Sequence, residues 1–293
     1  ARLLTGRAIG LVLSGGGARG FAHVGVVQAL REAGVPIDHV GGTSMGAIMG
    51  AGVAAGWSVA EMKERFHRSF VATNPLSDYT LPLVAIVGGR KVSRLLRQEF
   101  GDVAIDDLRL PFYAVSSNRT TGRIEVHRDG ELWRWLRASV AIPGVLPPVL
   151  RNGQVLVDGG AMNNLPVDVM RATARGAVIG VDVGHDAPFT ADVDAVDLPP
   201  LWRMLTWFRH RRRRPTILQI LIRSGMVNSA SATAAGRGLA DLLLQPPLAQ
   251  VDLLGWQAFA RAIDAGYRHA SRCLAELGPE ACAQLGLEAA RTL

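Results

Sequence analysis

Cysteine and charge are both scarce in this sequence of 293 residues. The two cysteines, Cys273 and Cys282, are too few for a disulfide framework and are not spaced as a zinc knuckle, so a reducing compartment is expected. Charged residues make up 19% against 48% hydrophobic. That excludes a disordered chain and supplies apolar surface for a sizeable core. No basic, apolar, small-residue signal segment opens the chain, which starts at Ala1 as expected of a fragment or processed product. The longest uncharged stretch, 40–60, is long enough to cross a bilayer but holds six glycines together with Thr43, Ser44 and Ser58. Such composition suits a tight turn feeding a buried helix, and no membrane span is expected.

What is present alternates in type. The apolar run 8–13 reads as a buried strand ending in Ser14-Gly15-Gly16-Gly17. Phe21, Val24, Val27 and Leu30 then fall at helical spacing up to a C-cap at Gly34. A second short strand, 36–40, leads through Gly41-Gly42 to a small-residue helix over 45–55, closed by Gly56. Further strands are predicted at 111–117, 123–127, 155–157 and 177–183, with a helix at 132–140 stopped by Ile142-Pro143-Gly144. Strand–helix alternation predicts α/β architecture: a mostly parallel sheet with helices on its faces. Beyond residue 183 prolines break the pattern until a final helix from Trp256 to about Leu277. No repeat or long linker divides the chain. Residues 1–200 read as the core, and 201–293 as a basic aromatic segment and helical extension of the same domain.

Three motifs fall where predicted strands end. Gly15-Gly16-Gly17-Ala18-Arg19-Gly20 would let backbone N–H groups approach a ligand at a helix start. By letter it is also G-x-G-x-x-G (Gly15, Gly17, Gly20), so a dinucleotide-binding oxidoreductase with Asp38 as its acidic partner stays open. Gly42-Thr43-Ser44-Met45-Gly46 is a G-x-S-x-G between strand and helix, the context that presents a serine nucleophile, with the Met45 N–H facing the oxyanion. Asp158-Gly159-Gly160 puts a carboxylate at the edge where ligand sites of open α/β sheets collect.

In this order these blocks resemble the signatures of patatin-like phospholipases, and Arg137-Ala138-Ser139-Val140-Ala141-Ile142-Pro143-Gly144 through Pro147-Pro148 resembles the block preceding the family's aspartate. The likeness covers about 9–183. The stretches 219–250 and 256–267 are similar to the neuropathy-target-esterase branch. The aspartate block reads Asp-Gly-Gly where many members have Asp-Gly-Ala. The resemblance implies a three-layer α/β/α fold and a Ser44–Asp158 dyad, with an oxyanion hole from the N–H groups of Gly15, Gly16 and Gly17. Arg19 would brace that loop, with Gly20, Gly42, Gly46, Gly159 and Gly160 as supporting motif positions. It implies hydrolysis of phospholipid or lysophospholipid acyl esters through an acyl-serine, without metal or cofactor. Members of the branch often carry upstream cyclic-nucleotide-binding domains. A Ser–acid–His triad remains an alternative, with His185, His210 or His269 following Asp158 in chain order.

The net charge is +7, yet Arg209, Arg211, Arg212, Arg213 and Arg214 account for five of those charges. Trp202, Trp207 and Phe208 precede or join this run, so 199–215 is expected to touch an anionic membrane surface. That places the protein in the cytoplasm, peripheral to the inner face of the membrane. A non-enzymatic basic module for membrane or nucleic acid is the remaining reading of the charge. No helix-turn-helix, zinc-finger or RNP-type pattern supports nucleic acid, and none is expected as a partner. Trp133-Arg134-Trp135 either lines an acyl pocket or packs a helix on the sheet, and its helical spacing favours packing. Phe66, Phe70, Tyr79 and Leu81 are candidates for a cover over the site.

Overall fold

The structure, a computed structural model, describes residues 2, 4–173, 176–184, 200, 202, 217–226 and 229–287. Eight strands form one sheet: β1 (Gly10–Leu13), β2 (His39–Thr43), β3 (Phe112–Asn118), β4 (Arg123–His127), β5 (Val149–Arg151), β6 (Gln154–Asp158), β7 (Val178–Val181) and β8 (Leu242–Leu244). The order is β5-β6-β3-β2-β1-β7-β8, with β4 also paired to β3. Strands β3, β2, β1, β7 and β8 run parallel, while β4, β5 and β6 enter antiparallel pairs.

Strands β1 and β7 are buried throughout, as parallel strands covered on both faces must be. Their side chains alternate between two cores. Leu11, Leu13, Ile179 and Val181 face one, and Val12 and Val178 face the other with Tyr113, Val115 and Met170. Helices α1 (Ala22–Glu32) and α2 (Met45–Ala54) cover the first face, and α6 (Val167–Thr173) covers the second. Between them lie α3 (Val59–Phe66), α4 (Arg90–Phe100) and α5 (Leu132–Ser139). The chain continues with α7 (Ile217–Met226), α8 (Ala230–Leu239), α9 (Phe259–Ala275) and α10 (Pro279–Gln284). The mostly parallel sheet with helices on both faces, expected from the alternating pattern, is found, as is the three-layer arrangement that the resemblance implies. The C-terminal part differs from a purely helical extension, because Leu242–Leu244 pairs with β7 as the edge strand.

Every residue of α2 is buried, so it has no polar face and its small side chains let it lie close to the sheet. Helix α9 packs on α1 through two glycines. A Cβ at Gly25 would stand 1.9 Å from the carbonyl oxygen of Ile263, and one at Gly266 would stand 2.1 Å from that of Ala22. The obstacles are backbone atoms, which cannot rotate away. Gly266→Val is therefore expected to lower the thermal midpoint by roughly 2–10 °C, the effect of about 1–3 kcal/mol of overpacking. Gly238→Ala, where a Cβ meets nothing within 4 Å, should not lower it, and equal melting curves for the two variants would contradict this account of the interface.

Of the aromatic residues singled out in the sequence, Trp133, Trp135, Phe66 and Phe70 are core, whereas Tyr79 and, beside it, Leu81 are exposed. Trp133 and Trp135 are buried, Trp135 stacks on His127 at 4.0 Å, and the Trp135 Nε1–H donates to the Asp129 carbonyl oxygen. Phe66 and Phe70 pack with Phe21, Trp57 and Trp256 and so do not cover a site.

Candidate active site

Strand β3 brings the serine and the aspartate together. Its residues Phe112–Val115 pair with β2, with Thr43 opposite Val115. Its next residues pair with β6, with Asp158 opposite Ser116. Strand β4 pairs with Ala114–Asn118 and so takes the other edge, since a strand has only two. Thus β2 and β6 lie end to end along one edge of β3, pointing at each other, and their last residues meet. Ser44 follows β2 and Asp158 closes β6. Across 114 positions of sequence, Ser44 Oγ donates to Asp158 Oδ2 at 2.8 Å.

The turn that carries Ser44 is strained. Its φ of 55° and ψ of −126° lie where L side chains are rare, a conformation worth about 1–3 kcal/mol. The turn closes only because its neighbours lack side chains. A Cβ at Gly46 would sit 2.2 Å from the carbonyl oxygen of Leu13, and one at Gly42 would sit 2.7 Å from the backbone of Gly46. The Ser44 N–H donates to Ser139 Oγ at 2.8 Å, and Ser139 Oγ donates in turn to the carbonyl oxygen of Val115 at 2.6 Å. Ser139 therefore ties the turn to β3.

Asp158 is 2% exposed. Burial pushes its carboxyl up to about 7, against the Gly160 N–H and the Ser44 hydroxyl, which favour the ionised form. Its Oδ1 accepts from the Gly160 N–H at 2.8 Å, so each oxygen has one donor. The first turn of the bond network is thus a carboxylate poised near neutrality against a hydroxyl.

The glycine-rich loop lies against the turn that carries the serine. A Cβ at Gly15 would be 2.9 Å from Ser44 Cβ, and one at Gly20 would be 2.4 Å from Met45 Cγ. The Gly15 N–H donates to the carbonyl oxygen of Asn164 at 3.2 Å, and Asn164 Nδ2 donates back to that of Gly15 at 3.1 Å. This double clasp engages the Gly15 N–H, one of the four candidate oxyanion donors. Gly17 opens a 3₁₀ turn and Met45 opens α2, positions whose N–H groups have no intrahelical acceptor. Arg19 Nε donates to the carbonyl oxygen of Val251 at 2.7 Å, and the Ala18 N–H donates to that of Leu253 at 2.8 Å. Residues 251–253 thereby hold the loop. At its base His23 is wholly buried, pushed down to about 4 by desolvation, and its Nε2 meets the Ser14 carbonyl oxygen at 2.9 Å.

A family model for patatin-like phospholipases matches residues 11–171. The chain belongs to the patatin-like phospholipase family. It is 37% identical over 287 residues to an uncharacterized NTE family protein of Mycobacterium tuberculosis, covering 96% of this chain and 48% of that protein. It is 36% identical to the human patatin-like phospholipase domain-containing protein 6 (92% of this chain, 20% of that one). The lysophospholipase nte1 of Aspergillus fumigatus is 35% identical (96% and 19%). The chain therefore spans about half the length of the mycobacterial relative and a fifth of the other two. Among solved structures, VipD from Legionella pneumophila superposes with a TM-score of 0.49 at 15% identity, over 92% of this chain and 67% of that one.

In this patatin-like chain the competing readings of the motifs fare differently. Asp38 accepts from the Ile9 N–H and from Arg2 Nε, at the end of β1 and β2 opposite the glycine loop, so it cannot serve a ligand held at Gly15–Gly20. His269 Nε2 accepts from the Gln245 N–H at 3.0 Å. His185, His210 and the run Trp207, Phe208, Arg209 and Arg211 to Arg214 lie outside the described residues, while Trp202 is exposed. Ser139 and Asn164 were missed as supports of the site. Ser139 stood in the block before the aspartate, and Asn164 follows the Asp-Gly-Gly turn by four residues. Among the described residues, no three His, Cys, Asp or Glu side chains gather as a metal site requires.

Proposed function

We propose that the chain is a serine hydrolase cleaving acyl esters of phospholipids or lysophospholipids through a Ser44–Asp158 dyad. The observation that carries this reading is the direct 2.8 Å bond from Ser44 Oγ to Asp158 Oδ2. In a triad an imidazole stands between serine and acid, whereas here the two are in contact. Asp158 takes the hydroxyl proton as Ser44 Oγ attacks the ester carbonyl. The N–H groups of Gly16, Gly17 and Met45 face the oxyanion, and Gly15 acts through its clasp with Asn164. Asp158 then protonates the leaving alkoxide, leaving an acyl-serine. A water molecule attacks that ester, giving its proton to Asp158, and the fatty acid departs as Ser44 recovers its hydrogen.

The lipid substrate is supported by family membership and by the name lysophospholipase carried by the fungal relative. No helix among the described residues is long and apolar enough to cross a membrane. Two free thiols and the basic run at 209–214 support a cytoplasmic enzyme meeting an anionic inner membrane face from one side.

A lipid hydrolysis panel run with wild type and Ser44→Ala tests the substrate. The expected result is fatty acid release from phospholipid or lysophospholipid by the wild type alone. Because the base must be ionised, kcat/KM for a soluble ester should fall about tenfold per pH unit below about 7 and level off above it. A flat profile through neutral pH would speak against Asp158 as the base.

A further inference from the structure

One exposed apolar segment has no role in the chemistry above. Residues 78–88 form a short hairpin closed by a Tyr79–Val87 bridge and by the Gly88 N–H donating to the Asp78 carbonyl oxygen at 2.7 Å. It carries Tyr79, at the closing bridge, and Leu81, Leu83 and Val84 towards its tip, which are 75%, 72%, 83% and 68% exposed. Four large apolar side chains exposed to water within the stretch 79–84 are unusual for a closed surface and mark a contact site.

The surroundings identify the partner. The base of the hairpin is fastened to the start of α4, where Asp78 Oδ2 accepts from the N–H groups of Arg90 and Lys91 at 2.8 and 3.2 Å. Helix α4 is strongly two-sided. Val92, Leu95, Leu96 and Phe100 are buried, whereas Arg90, Arg94 and Arg97 recur at helical spacing on the outer face. Those three line a cleft of about 510 Å³ together with Ser93, Gly89 and Arg137. No carboxylate among the described residues forms an ion pair with them. Arg97 lies over the Trp133 ring at 3.8 Å. At the floor, Arg137 is 6% exposed and its Nη1 has no hydrogen-bond partner among the described residues, while its Nη2 donates to the Pro147 carbonyl oxygen at 3.0 Å. The Asp78 carboxylate acts on Arg137 electrostatically, and the open N–H of this buried guanidinium, behind three outward arginines, suits a further anionic oxygen.

The same surface leads to the dyad. The Ile86 N–H donates to the carbonyl oxygen of Gly144 at 3.0 Å, and the side chain of Leu221 in α7 also approaches Gly144. Helix α7 also contacts the turn that follows Asp158, and it exposes Ile217 and Ile220.

We infer that the 78–88 hairpin and the arginine face of α4 form the surface by which this protein sits on an anionic lipid bilayer. Tyr79, Leu81, Leu83 and Val84 enter the acyl boundary, and Arg90, Arg94 and Arg97 meet headgroup phosphates, with Arg137 receiving one phosphate oxygen in the cleft. A large apolar tip framed by cations is the composition of an interfacial anchor. The inference deepens the lipid-hydrolase reading but is tested by binding alone, so either can fail without the other.

The experiment is vesicle co-sedimentation of the full chain, with phosphatidylcholine alone and with added phosphatidylglycerol, across a salt series. Melting curves of each variant confirm folding. Leu81→Asp with Leu83→Asp should weaken binding at least about tenfold at every salt concentration. Neutralising Arg90, Arg94 and Arg97 to Gln should weaken binding to anionic vesicles roughly a hundredfold and flatten the salt dependence. The inference is overturned if the wild type does not sediment with vesicles. It is equally overturned if folded variants of both kinds bind as the wild type does, including where only neutralising Arg209 and Arg211 to Arg214 removes binding. Hydrolysis of a water-soluble ester by the same preparations reports on the dyad separately.

Discussion

Asp158→Asn is expected to lower kcat/KM for a water-soluble ester by about 10⁴-fold, and Ser44→Ala at least as far, whereas His185→Ala and His269→Ala should retain most activity. The magnitude is that of removing one member of a hydrolytic constellation that acts as a unit. Asparagine preserves the size of the group and an acceptor for the Gly160 N–H, but its amide cannot take the serine proton. In the proposed dyad Ser44 Oγ donates directly to Asp158, so no imidazole would carry that proton. Steady-state kinetics of the four folded variants, with fluorophosphonate labelling of Ser44 as the check on the nucleophile, decide the matter. Loss of turnover in a folded His185→Ala protein would reinstate a triad.

The same Asp158→Asn protein should be harder to unfold, and only at neutral and alkaline pH. In the unfolded chain the carboxyl ionises near its ordinary value of about 4, whereas in the fold burial holds the proton until about 7. Between those two values the native state binds more protons than the unfolded one, so wild-type stability falls as pH rises through the window and is level above it. Below about pH 4 both states are protonated and the penalty is absent. Asparagine never ionises. The difference between wild type and variant is then on the order of 4 kcal/mol above pH 7 and close to nil at the acid end. Urea denaturation of both proteins at acid and at slightly alkaline pH measures it. Parallel pH dependences would mean that Asp158 is not held in its protonated form by burial.

The features visible in the sequence were those that depend on local backbone chemistry. Glycines flanking Ser44 announced a turn too sharp for side chains, and the structure supplies the obstacle, the carbonyl oxygen of Leu13 beside Gly46. Alternation of apolar runs with helical spacing announced a parallel sheet because strands covered on both faces need no polar residues. Gly34 and Gly56 do take the left-handed conformation that ends a helix. Non-local pairing was not legible. Val149–Arg151 is a short strand with Leu150 facing water, and Leu242–Leu244 is a three-residue edge, so neither carries a pattern long enough to read. Spacing did not reveal that Gly15 is clasped by Asn164, since the two meet only after 149 intervening steps of chain. The pKa of Asp158 belongs to its burial and could not be read from the letters Asp-Gly-Gly.

The end-to-end meeting of β2 and β6 along β3 has a consequence for how such a protein can diversify. Ser44 and Asp158, the proposed nucleophile and base, are both measured against one strand of seven residues, not against the 114 positions that separate them in the chain. Hairpins and helices inserted between them, the apolar finger at 78–88 included, can lengthen, shorten or change composition while the reactive pair keeps its spacing. A slip of a single residue within β3 has the opposite weight, because it moves a neighbour by about 3.3 Å and turns it to the other face of the sheet. Substrate preference can drift in the long connections, and the chemistry is insulated from that drift by a ruler buried in the middle of the sheet.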